Sequence, residues 1–242
     1  MGRALTVFKK EFRQYFDSPI AYIFITVFLV INSWLFFRSF FLVNQASSRP
    51  LFFLIPWVFL FFVPAITMRL WSEERKAGTI EVLMTLPMKD WEVVLGKYWA
   101  SLVFLILSLV LTFTLPLTVW LLSANGLRPD VGPVLTSYLG AIFLGGAFLA
   151  IGLWVSSLTE NQIVAFIIAI AVSFVLMIAG ERLVTMYLPS AMVSIVEYVG
   201  LNKHFQSIER GVLDTRDLVY YLSVIGFFLY LTIRSVESRK WQ

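Results

Sequence analysis

Between Trp71 and Lys97 the chain carries Arg75, Lys76, Lys89 and Lys97 beside Glu73, Glu74, Glu81, Asp90 and Glu92, with a long apolar run on either side. Each such charge costs about 2.5 to 3.5 kcal/mol at the centre of a bilayer, so the stretch is expected to sit in water. Gly78 ends one short charged helix, and Thr79 can cap a second. Ile80, Leu83 and Met84 then share one face before Pro87 stops the run. A short helix with an apolar face, outside the membrane and tied to a span at each end, suits docking on another protein. Glu73 to Lys76 read equally well as a solvated helix end.

Chemistry of other kinds lacks its parts. Cysteine is absent and His204 is the only histidine, with no carboxylate cluster in its near sequence to make it a metal ligand or general base. Gly96 and Lys97 are followed by Tyr98, and Trp91 stands where a phosphate-binding loop needs its first glycine. No H-E-x-x-H or G-x-S-x-G occurs. No apolar run holds an ionisable residue at its centre, as proton relays and ion-coupled carriers usually do. The sequence therefore yields no catalytic residue, no metal site and no cofactor held by this chain. If the protein does work, the energy comes from a partner.

The elements that must position the charged stretch are membrane helices. Of 242 residues 59% are hydrophobic and 14% charged, against about 25% charged in soluble domains. The net charge of +4 is scattered between apolar runs, which argues for basic loops and against nucleic acid. The expected fold is all-α, a single domain over 1–242 with six transmembrane helices. It opens with an amphipathic helix over 3–17, Leu5, Phe8, Phe12, Tyr15 and Phe16 facing Arg3, Thr6, Lys10, Arg13 and Asp17, lying in the headgroup plane against anionic lipid. Ser18 and Pro19 turn the chain into the first span, Ile20 to Val43. The second, Leu51 to Leu70, contains Pro56 and Pro64. The third runs from Tyr98 to Leu122, the fourth from Val134 to Leu158, the fifth from Ile163 to Gly180 and the sixth from Leu218 to Ile233. Small residues at four-residue spacing, Ala165, Ala169 and Ser173, suit close helix packing, within one subunit or between two. Residues 181–217, broken at Pro189, read as a broken or re-entrant helix pair. Most Lys and Arg fall on one side when both termini are cytoplasmic, which turns segment 71–97 to the cytoplasm. Asn32, Ser33 and Thr67 are the mid-span polar groups expected to face a pathway.

The run Glu74-Arg-Lys-Ala-Gly78-Thr79-Ile-Glu81-Val-Leu83, then Pro87, then Glu92 to Gly96-Lys97, resembles the E-x-x-x-G-T-x-E-x-L…P…E-x-x-x-GK signature of permease subunits of type-2 ABC exporters. Six spans behind an amphipathic helix resemble that family over essentially the whole chain. His204-Phe205 with Arg210-Gly211-Val-Leu-Asp214 and Arg216-Asp217 is similar to its gliding-motility and nitrous-oxide-reductase-maturation branch. The resemblance implies that residues 79–86 form a coupling helix in a groove of a separate cytoplasmic ABC ATPase. Ile80, Leu83 and Met84 would make its apolar contacts, and Glu73, Glu74, Arg75 and Glu81 polar contacts at the rim. It further implies an inner-membrane protein with two copies of that ATPase, which hold ATP and Mg. A second permease chain, identical or a sister, would complete the pathway, and a periplasmic auxiliary protein would accompany the gliding-like branch. Two functions stay open: export driven by ATP hydrolysis on the partner, or a membrane anchor of an ATPase-driven envelope machine that moves no substrate.

Overall fold

The computed structural model describes residues 2–43, 49–79, 88–122 and 130–238, and among them the regular structure is entirely helical. The elements are α1 (Gly2–Asp17), α2 (Pro19–Val43), α3 (Arg49–Thr67), α4 (Arg69–Lys76), α5 (Asp90–Leu111), α6 (Thr114–Leu122), α7 (Val131–Leu158), α8 (Gln162–Ile178), α9 (Arg182–Thr185), α10 (Ser190–Val199), α11 (Leu201–Glu209) and α12 (Thr215–Glu237). Among the described residues, five helical stretches are long and apolar enough to cross a membrane: Pro19–Arg38, Arg49–Lys76, Asp90–Leu121, Val131–Leu158 and Thr215–Glu237. Six spans were expected; the fifth of them is α8, an apolar helix of only 17 residues.

The helix that carries the expected third span begins ahead of it, at Asp90, where the Glu92 carboxylate accepts a hydrogen bond from the Lys89 N–H at 3.0 Å. It breaks between α5 and α6 because Pro116 has no N–H for the Thr112 carbonyl and its ring crowds that group. The Leu115 N–H bonds that carbonyl instead at 2.9 Å, and the Thr112 hydroxyl lies 3.0 Å from that of Tyr138 on α7.

Helix α7 is the central post, with 78% of its apolar window buried, whereas α2 at the rim has 22%. It packs against α3, α5, α8, α11 and α12. Apolar side chains gain little by leaving lipid for protein, so such contacts depend on close van der Waals fit. At Gly152 the fit is extreme, since a β-carbon there would stand 2.1 Å from the Thr67 hydroxyl of α3. Ala165, Ala169 and Ser173 are buried along one side of α8, which packs on α7 and α3; their spacing is used within this chain.

Helix α1 packs on α5 through Val7, Glu11 and Tyr15, a ridge one residue away from most of the face expected from apolar character. Leu5 is exposed, while Phe8, Phe12 and Phe16 form a half-buried ladder with ring centroids 5.8 and 5.2 Å apart. The Tyr15 ring stacks on Phe104 of α5 at 4.8 Å and its hydroxyl lies 3.1 Å from that of Ser101. Burial pushes the Tyr15 phenol up to about 12. At the other end of α7, Leu201, His204, Phe205 and Ile208 of α11 are buried, and Phe205 and Ile208 cover Gly140. The chain between α9 and α10 turns at Leu188-Pro189, the break expected from the proline.

Candidate functional site

Two turns into α5, Lys97 is 1% exposed. Its ammonium lies 2.9 Å from Glu11 Oε1 of α1 and 2.8 Å from Glu74 Oε1 of α4, and donates to the Leu70 carbonyl at 2.9 Å. An ammonium has three N–H donors, and all three are used. The Trp71 ring closes the fourth side, its centroid 5.1 Å from Nζ. The expectation that the whole charged stretch sits in water is corrected here. The insertion cost of an isolated charge does not apply to one whose opposite charges and hydrogen bonds are supplied by its own protein. The arrangement joins three elements at one atom, and it carries two carboxylates on one ammonium.

Helix α4 is fastened on its other side to the end of α7. The Ser156 hydroxyl sits in the break between α3 and α4, donating to the Met68 carbonyl at 3.0 Å and accepting from the N–H groups of Trp71 and Ser72 at 3.1 and 3.3 Å. It thus caps a helix start that has no cap of its own. Arg75 donates to the Ser157 carbonyl at 2.8 Å and lies 3.7 Å from Glu160 in the turn to α8. Ser156→Ala leaves two buried amides without that acceptor, and we expect a loss of about 1 to 3 kcal/mol in unfolding of the purified chain. An unchanged melting temperature would show the clamp to be dispensable.

Of the residues expected to meet a partner, Glu73 is exposed and Glu74 and Arg75 are turned inward. The latter two are therefore part of the chain's own joints, because their charges find partners in α5 and at the end of α7. Gly78 follows α4 with φ +67°, a left-handed turn that suits glycine, and the Thr79 hydroxyl donates to the Glu74 carbonyl at 3.3 Å. Ile80, Glu81, Leu83, Met84 and Pro87 lie outside the described residues. Between α1 and α4 a cavity of about 470 Å³ opens, walled by Gln14, Ser18, Arg69, Glu73 and Thr79 among others.

The three mid-span polar residues are not joined to one another by hydrogen bonds. Thr67 is fully buried, its hydroxyl donating to carbonyls of its own helix against Gly152. Asn32 donates to the Phe28 carbonyl at 2.7 Å and its side-chain oxygen is buried without a hydrogen-bond partner; Ser33 is half-buried.

Two groupings escaped sequence reasoning. Glu11 and Lys97 are 86 positions apart; the only local signal was Glu11 between Val7 and Tyr15 at helical spacing. His204 is not remote from a carboxylate: its Nδ1 lies 2.6 Å from Asp217 Oδ1, because α12 folds back beside α11.

No match to a curated protein is found. The sequence model of the ABC-2 family transporter protein matches residues 40–223, which takes in α3 through α11, the charged stretch and the first turns of α12. The chain is thus a multi-pass membrane protein that belongs to the ABC-2 transporter family, whose members generally work with an ABC ATPase, and it is a permease subunit of an ABC transporter rather than an ATPase.

Proposed function

We propose that the chain couples ATP hydrolysis on a separate cytoplasmic ATPase to export of a substrate across the inner membrane. The observation that carries this reading is the double fastening of α4. The helix ends at Lys76, immediately before the segment 79–86 that would dock as a coupling helix. Its Glu74 is bound to α1 and α5 through Lys97, and its first turn to α7 through Ser156. A push on segment 79–86 would reach the interfacial helix α1 and the spans α5 and α7 through short, buried polar contacts. Such a lever suits a permease whose bundle rocks when two bound ATPases, holding ATP and Mg, close on each other.

In this reading both termini and segment 71–97 face the cytoplasm, and α1 lies at the inner headgroup plane. Two permease chains, identical or a sister pair, enclose the pathway, with Asn32 as its best-placed polar group. Residues 181–217, with α9, α10 and α11, form a loop of re-entrant helices on the outer side, where a gliding-like permease would meet its periplasmic auxiliary protein.

The double substitution Ile80→Asp with Leu83→Asp is expected to abolish co-purification of the ATPase while membrane insertion is retained. Unchanged association would reject docking through this face. ATP-dependent uptake into sealed inverted vesicles containing the complex separates export from an anchor that moves nothing.

A further inference from the structure

The end of α7 remote from α4 is covered by α11, and the polar contacts that hold α11 there share one unusual feature. The Nε2 of His204 lies 2.9 Å from the Tyr198 carbonyl, and a carbonyl oxygen only accepts, so Nε2 carries a hydrogen. Nδ1 lies 2.6 Å from Asp217 Oδ1. Both contacts are hydrogen bonds at once only if a second proton is held by the pair, as imidazolium with carboxylate or as imidazole with carboxylic acid. Both forms hold the same number of protons. Without that proton the neutral ring has one N–H for two acceptors, so either the Asp217 carboxylate or the Tyr198 carbonyl faces a lone pair.

The site is enclosed. His204 is 8% and Asp217 7% exposed, and the Asp217 Oδ2 is buried without a hydrogen-bond partner. The imidazole stacks on Tyr220 with centroids 3.9 Å apart, while Tyr198 meets it edge-on at 5.5 Å and Tyr221 at 6.4 Å. The hydroxyls of Tyr220 and Tyr221 donate to the carbonyls of Val199 and Leu201, which fixes the start of α11 against α12. Nearby charges are engaged elsewhere: Lys203 lies 3.7 Å from Glu197, and Glu181 accepts from Asn202 and Gln206. Toward α7 the helix presents Phe205 and Ile208. Glu209, at its far end near Arg49 and Arg210, is the other group that could respond to pH, and burial pushes its carboxyl up.

We propose that His204 and Asp217 form a proton-dependent latch. With the shared proton in place, α11 is held between α10 and α12 and the end of the bundle is closed. Loss of the proton on raising the pH breaks one of the two contacts and frees α11 from α12 or from α10, so that opening of this end responds to proton availability on its side of the membrane. This inference does not depend on ATPase coupling.

The chain makes its own test tractable, since it has one histidine and no cysteine. The full chain in nanodiscs, labelled with ¹⁵N-histidine, gives one imidazole to follow. Spin labels on Lys203→Cys of α11, paired with Val219→Cys of α12 or with Ile195→Cys of α10, all exposed positions, report the distance across each side of the latch. As pH is raised, one of the two distances is expected to lengthen over the same range in which the imidazole loses its proton. In Asp217→Asn the side-chain amide can donate to a neutral Nδ1, so the latch should stay closed throughout. Glu209→Gln should leave the wild-type response in place. Two distances that both ignore the histidine signal, an Asp217→Asn chain that opens as the parent does, or a response abolished by Glu209→Gln overturns the proposal. The parent titration needs neither variant, so a failure of either to fold leaves the test intact.

Discussion

Lys97→Met is expected to cost about 3 to 5 kcal/mol of stability, the usual penalty for removing one partner of a buried ion pair and leaving the other charged. Here two carboxylates, Glu11 and Glu74, would be left facing each other where one ammonium had bound both, and the Leu70 carbonyl would lose its donor. Denaturant unfolding of the detergent-solubilised chain measures the loss. Adding Glu11→Gln and Glu74→Gln removes the stranded charges and should recover much of the stability, because neutral replacement of buried ions is often tolerated. The triple variant then separates two roles. If the joint transmits force, the triple variant binds the ATPase yet transports poorly. If transport recovers together with stability, the joint is a structural fastening only. A Lys97→Met chain as stable as its parent would contradict the buried geometry itself.

The same residues show what the sequence could and could not disclose. Apolar runs locate the membrane helices because length and composition alone define a span. Pro189 and Gly78 mark turns by local backbone chemistry that needs no tertiary context. The charged stretch was harder. Read singly, Glu74 and Lys97 belong in water; read as a pair with Glu11, they belong inside. Only the packing of α1 on α5 brings the pair together, and no local pattern encodes that packing. The partner of His204 was hidden for a related reason, since Asp217 becomes its neighbour only after Gly211, at φ +92°, lets the chain reverse between α11 and α12. The small residues of α8 were legible as packing residues, but whether they serve one chain or two required the position of α7.

That position rests in part on one backbone crossing, which yields a sharper test. Gly200, between α10 and α11, passes so close to Gly180 after α8 that a β-carbon would stand 2.5 Å from the Gly180 nitrogen and 2.7 Å from its α-carbon. A side chain can rotate away from an intruding methyl; a backbone held by the end of a helix cannot. Gly200→Ala should therefore cost at least the upper part of the roughly 1 to 3 kcal/mol typical of overpacking. The crossing must widen, moving the start of α11 off the end of α8 and disturbing the surroundings of His204, so its ¹⁵N signal should shift even at a pH where the latch is closed. Gly226→Ala is the matched control: it lies inside α12 with nothing within 4 Å of the added carbon, and alanine is favoured over glycine in a helix by up to about 1 kcal/mol. Thermal unfolding should rank Gly226→Ala at or above the parent and Gly200→Ala well below it. Equal melting temperatures for the two would mean that α8 and α11 do not meet backbone to backbone, and the closed end described for the bundle would then have to be redrawn.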